Sequence, residues 1–151
     1  MTMNRALSRL AAAPLAAAAV LVLAAPAVAA APSNDDRAAA RTVAVPSETT
    51  GSTLGSTLET DEPGGCISAK GSVWYRFTTA SAGRIAVRLQ ANGDLDASVS
   101  VFKVNRSQAQ PVDCDDTDDS GRAAVSFKSE AGASYLVRVG QRFNSVAGTF
   151  K

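Results

Sequence analysis

The chain of 151 residues contains no histidine. That removes Ser-His-Asp and Cys-His nucleophiles and every His-ligated metal site. Two short matches to catalytic motifs survive and fail on geometry. Ser100-Val-Phe-Lys103 fits Ser-x-x-Lys, but on a strand this odd spacing sends the two side chains to opposite faces. Asp119-Ser120-Gly121 follows an acidic stretch, where an aspartic protease motif needs an apolar strand. No enzyme is expected. An excess of either charge is also lacking, with a formal net charge of +1. Taking Arg5 and Arg9 from the 15 basic residues leaves 13 against 14 acidic. Nucleic acid is therefore not expected as a partner, because phosphate binding needs a clear basic excess. Beyond residue 41 no 3.6-residue pattern appears, so helices are not expected in the domain. After the first 31 residues no apolar run could span a membrane.

What is present begins with a leader. Arg5 and Arg9 precede an apolar run over residues 10–23, Pro26 breaks it, and Ala27-Val28-Ala29 supplies a small-x-small cleavage site. Residues 1–29 read as a signal peptide, cut before Ala30 or Ala31, and the mature protein is expected to be secreted and extracellular, free of the membrane. A retained anchor is the alternative, since residues 10–31 are long enough to span. Cys66 and Cys114, the two cysteines, both follow the leader. An even count in an oxidising compartment implies one disulfide between them. Closing a loop of roughly fifty residues would stabilise the fold by about 4 kcal/mol in the chain-entropy model.

Residues 30–45, small, polar and acidic, read as a mobile arm. Residues 46–65 are rich in Ser, Thr, Gly, Glu and Pro and suggest a short extended piece followed by loop. Period-two alternation then dominates. Val73, Tyr75 and Phe77 fall on one face, with Trp74 and Arg76 on the other. Ile85, Val87 and Leu89 alternate with Arg84 and Arg88. Further runs carry Val99 and Val101, then Val125 and Phe127, then Tyr135, Val137 and Val139, and Gly148-Thr149-Phe150 opens a last strand. Such runs separated by Gly, Asp and Ser clusters predict an all-β fold: a small antiparallel β-sandwich, jelly-roll-like, over residues 46–151. Outward arginines fit sheets wet on one side.

Residues 113–119 hold five aspartates. Calcium takes six to eight oxygens, so this stretch reads either as a calcium-binding turn or as a solvated acidic turn, with Asp115 and Asp116 at its centre. Arg76, Arg84, Arg88 and Arg138 could form a basic stripe for an acidic polymer or could be solvated outer faces. Trp74 and Phe143 are the aromatics singled out for stacking on a ligand, against a packed role for Trp74.

Several motifs, taken in order, resemble the bacterial prepeptidase C-terminal domain family, secreted β-sandwich modules related to collagen-binding domains. They are Asn34-Asp35-Asp36; Gly55-Ser56-Thr57 with Glu59 and Asp61-Glu62-Pro63; Ser72-Val73-Trp74-Tyr75-Arg76-Phe77; Asp96 ahead of Ala97-Ser98-Val99; Cys114-Asp115-Asp116; the run from Ser134 to Gly140; and Gly148-Thr149-Phe150. The resemblance covers residues 34–151. It departs from the family where Arg37 stands in place of an aromatic residue. It implies a non-catalytic adhesion module, holding itself or an exported partner near an extracellular polymer or protein. The alternative is a pro-segment or folding aid for a separate exported hydrolase, such as a peptidase. By analogy with the collagen-binding relatives, it also implies calcium as a stabilising cofactor, with Asn34, Asp35 and Glu59 as ligands beside Asp115 and Asp116.

Overall fold

The computed structural model describes residues 29–151, so the expected signal peptide lies outside the described residues except at its last position. Nine strands follow one another: β1 (Arg41–Thr42), β2 (Gly51–Ser52), β3 (Ala69–Thr78), β4 (Gly83–Gln90), β5 (Ala97–Asn105), β6 (Gln108–Asp116), β7 (Arg122–Ser129), β8 (Ser134–Arg142) and β9 (Thr149–Phe150). The one helical piece among the described residues is a 3-10 turn, Arg37–Ala39. The fold is all-β, as the alternation predicts. Among the described residues no helix is long and apolar enough to cross a membrane.

The larger sheet has the order β1-β3-β8-β5-β6. Facing it, β4 pairs with β7 from Gly83↔Ser129 to Gln90↔Arg122. The end of β4 then meets the chain end: Gln90 and Lys151 exchange both backbone hydrogen bonds, and Ala91 pairs with Phe150. β9 in turn pairs with β2. The second layer therefore reads β7-β4-β9-β2, with β9 alongside only the last residue of β4.

Alternation puts Val73, Tyr75, Phe77, Leu89, Val99, Val125, Phe127, Tyr135 and Val137 into one core between the layers. Tyr135 ties the layers together. Its ring lies 5.3 Å from that of Phe77 on the large sheet and 5.0 Å from that of Phe127 on the small one. Aromatic pairs at such distances contribute about 0.5–1.5 kcal/mol beyond the area they bury.

The arm expected to be mobile is docked, and the sandwich starts before residue 46. Exposed backbone on an edge strand must find partners or invite foreign ones. β3 finds them in order: Ser72 N–H donates to the Thr57 carbonyl, Trp74 N–H to that of Asn34, β1 runs parallel to Tyr75 and Arg76, and Val43 N–H donates to the Arg76 carbonyl. The arm and residues 53–68 also correct the expectation that both sheets are wet outside. Beneath them Trp74, Phe102 and Leu136, on the outer face of the large sheet, make a second apolar cluster with Ala40 of the arm.

Residues 113–116 are a further correction. They form part of strand β6, paired with β5, and not an acidic turn.

Candidate functional site

Three of the five expected calcium ligands meet where the arm crosses residues 53–68. Asn34 is nearly buried, and its Nδ2 donates to the Trp74 carbonyl at 2.9 Å. The Asp35 carboxylate accepts from both the N–H and the hydroxyl of Thr57, each at 2.7 Å. Glu59 accepts from the Arg37 N–H at 2.8 Å. The other two lie at the opposite edge of the large sheet, on β6. Asp115 accepts from the Ala124 N–H at 2.8 Å, and Asp116 from Arg142 Nη2 at 2.7 Å. The five do not converge, and among the described residues no three acidic or thiol groups cluster to hold a metal. A cation that wants six to eight oxygens does not fit this donor set, because its members lie at opposite edges of the large sheet and cannot meet around one ion. Arg37, the departure from the family pattern, contributes to this clasp through its N–H and through an ion pair with Asp61 at 3.0 Å.

Cys66 and Cys114 form the expected disulfide, with Cα atoms 5.7 Å apart and 48 residues of separation. Cys114 sits within β6, so the bridge pins the 53–68 loop to a strand. Beside it Glu62 descends under the loop. Its Oε2 lies 2.9 Å from Arg138 Nη2, with both side chains about 95% buried. Its Oε1 accepts from Trp74 Nε1 at 3.1 Å and from the Ser72 hydroxyl. Burial pushes the Arg138 guanidinium below its ordinary pKa, and the charge of Glu62 pulls it back up.

This network overturns two expectations. Trp74 is fully buried and cannot stack on a ligand. Arg138 belongs to no surface stripe. Arg76 also leaves the stripe, since it lies on the large sheet with Nη2 near the Arg37 and Ala38 carbonyls. Phe143 is exposed over 65% of its surface, in the turn between β8 and β9.

What remains is a basic face that the sequence reading half-anticipated. On β4 and β7 the outward residues are Arg84, Ala86, Arg88 and Gln90, then Arg122, Ala124, Ser126 and Lys128. Register sets Arg84 opposite Lys128 and Arg88 opposite Ala124. Among the described residues neither Arg84, Arg88 nor Lys128 has a carboxylate within 4.0 Å. Arg122 donates to Gln90 Oε1 and lies in the field of Asp118. Lys128 and Arg122 were missed because only the β4–β7 pairing, distant in sequence, puts them beside Arg84 and Arg88. Next to this face a cleft of about 930 Å³ opens between β4 and residues 43–49, floored by Tyr75, Phe77 and Val137.

A fold of this kind, two unequal and mostly antiparallel layers with a strapped outer face, is a small β-sandwich. It is similar to the pre-peptidase C-terminal domain of collagenase from Bacillus anthracis, at a TM-score of 0.52 and 15% identity, covering 74% of this chain and 90% of that one. The resemblance read from the motifs therefore holds at the level of fold. A looser likeness, TM-score 0.39 and 18% identity over 73% of this chain and 90% of the other, is to PliG of Aeromonas hydrophila, a periplasmic inhibitor of g-type lysozyme. No protein-family model and no curated protein matches the sequence.

Proposed function

We propose that this is an exported, non-catalytic binding domain that holds an acidic extracellular partner against the outer face of β4 and β7. The observation that carries this reading is the Arg84–Lys128 cross-strand pair. Like charges directly opposite one another on a sheet destabilise it. Here no carboxylate among the described residues offsets that cost. An anion seated between them would do so, and the small side chains of Ala86, Ala124 and Ser126 leave the face open to it. The leader and the disulfide support export.

The test is retention of the mature protein on immobilised anionic polymers (polyglutamate, polygalacturonate) against neutral cellulose and chitin. Retention on the anionic matrices should weaken as salt rises, because exposed charges are screened. Arg84→Glu with Lys128→Glu should abolish it, while Phe143→Ala separates any aromatic contribution. Equal retention on neutral matrices, or indifference to the charge reversals, overturns the reading.

A further inference from the structure

Trp74 and Phe102 are fully buried, but the apolar cluster they belong to runs on beyond the cover of the arm and residues 53–68. It continues through Leu136 to Val104 and Ala109, the last two only half-buried. These three floor a groove of about 500 Å³ across the outer face of the large sheet. Arg37, Ala38 and Glu59 make one wall, and Ser107 and Gln108 of the β5–β6 hairpin the other. Both ends of the described chain lie elsewhere: Ala29 beside Gly55, and Lys151 against Gln90 on the other layer.

Polar groups stand beside this floor. Register places Arg76 opposite Leu136, and Thr78 opposite Ser134. Arg37 is paired with Asp61, whereas among the described residues Arg76 has no carboxylate within 4.0 Å. Its Nη2 makes only long contacts, 3.4 and 3.5 Å, to the Arg37 and Ala38 carbonyls, and its Nε and Nη1 have no partner among the described residues. The Thr78 and Ser134 hydroxyls bond each other at 2.9 Å, so one proton serves that bond and the other is free to donate. Glu59 holds the Arg37 N–H through Oε2 and keeps Oε1 as an acceptor.

From this geometry we propose that the groove captures the free C-terminal end of a peptide whose last side chain is apolar. The side chain lies on Val104, Leu136 and Ala109. The terminal carboxylate takes the unpaired Arg76 guanidinium and the free hydroxyl proton, a charge-assisted pairing. The last amide N–H donates to Glu59 or to the exposed Gln108 amide. The volume falls in the range of roughly 300–1,000 Å³ usual for small-ligand sites. Charge decides between occupants. An internal peptide segment brings no carboxylate to Arg76. A fatty acid brings one, but it has no N–H to offer the Glu59 carboxylate. The groove lies on the opposite layer from the basic face and does not depend on it.

The probe is N-acetyl-Ala-Leu with a free carboxylate, titrated into the mature protein and followed by amide NMR shifts and calorimetry. Shifts should centre on Arg76, Thr78, Gln108, Ser134 and Leu136. The same dipeptide with its C-terminus amidated should bind about tenfold more weakly, the loss of one hydrogen-bonded charge pair. Octanoate, which carries charge and chain without the amide, should also bind more weakly. Arg76→Gln should weaken the free acid about tenfold and leave the amidated form unchanged, which a merely structural role would not do. Ala109→Trp should fill the groove and abolish binding without loss of melting temperature. Arg84→Glu with Lys128→Glu should leave peptide binding intact. Equal affinity for acid and amide, octanoate binding as tightly as the peptide, shifts confined to β4 and β7, or none at millimolar peptide would each overturn the proposal. The basic-face reading keeps its own test on anionic matrices.

Discussion

Glu62 shows how one side chain can organise a face. It neutralises Arg138, accepts from the indole of Trp74, and belongs to the loop that a disulfide holds down. Removing one member of a buried ion pair leaves an uncompensated charge, which costs about 3–5 kcal/mol. Glu62→Gln should therefore lower the unfolding free energy by that amount, read as a lower urea midpoint at unchanged m-value, although its amide oxygen can still accept from Trp74. Replacing both partners, Glu62→Leu with Arg138→Leu, should cost far less, because no buried charge remains. A loss no larger for the single variant than for the double would refute the pairing argument. Tyr75 carries a second prediction at this scale. Burial holds its hydroxyl above the ordinary phenol pKa near 10.0, partly offset by Asn34 and Arg41. The folded state thus keeps a proton that the unfolded chain has already lost. Stability from this group is intact below pH 10.0 and falls as pH rises from there through the folded value. Melting followed from pH 9 to 11 should drop more steeply for the wild type than for Tyr75→Phe.

The elements differ in how much of them is written locally. Ile85, Val87 and Leu89 announce their strand because a period-two pattern survives wherever one face is buried and the other wet, and Val73, Tyr75 and Phe77 show the same alternation although the outer face of β3 is covered. β6 announces nothing. Its residues are mostly exposed, and Pro111 interrupts it beside an irregular register at Val101/Phe102. Proline is tolerated there because the strand lies at the sheet edge and hydrogen-bonds on one side only. Which side of β3 is dry was equally illegible: alternation separates Trp74 from Tyr75, but whether the Trp74 side meets water depends on residues 53–68. The fold class and the disulfide were thus readable, whereas the basic face needed the β4–β7 register, and only the folded chain shows the five expected calcium ligands spread over two edges of the large sheet. The disulfide is what makes the covering loop part of the domain. Its removal by Cys66→Ser with Cys114→Ser should cost about 4 kcal/mol for a closed loop of this length. Trp74 is the only tryptophan, so its emission reports the loop directly. A red shift in the still-folded variant is expected; unchanged emission and stability would mean that the loop holds without its covalent tie.

At the scale of the whole molecule, the sandwich closes one edge of each problem with protein groups where a cation could have served. The clasp of Asn34, Asp35 and Glu59 anchors the arm through hydrogen bonds from Trp74, Thr57 and Arg37. On the far edge Arg142 lies between Asp96 and Asp116, at 2.6 and 2.7 Å. Hydrogen bonds from Ser120 and Arg122 hold the Asp118 carboxyl below its usual pKa, so it stays ionised with its charge stabilised by protein donors. For the five expected ligands to share one calcium ion, carboxylates now on different elements would have to converge. A ligand stabilises a fold by RT ln(1 + [L]/Kd), and tenfold excess over Kd would give about 1.4 kcal/mol, a shift of a few degrees in a domain this size. The donor arrangement predicts much less: at fixed ionic strength, melting in EDTA and in millimolar calcium should agree to within about a degree. Asp35→Asn should lower the melting point equally in both, because it weakens acceptance from Thr57 and not a metal bond. A calcium-dependent rise of several degrees that Asp35→Asn or Asp115→Asn removes would show that the carboxylates regroup around the ion, and that the hydrogen-bonded clasp is the metal-free alternative to a bound state.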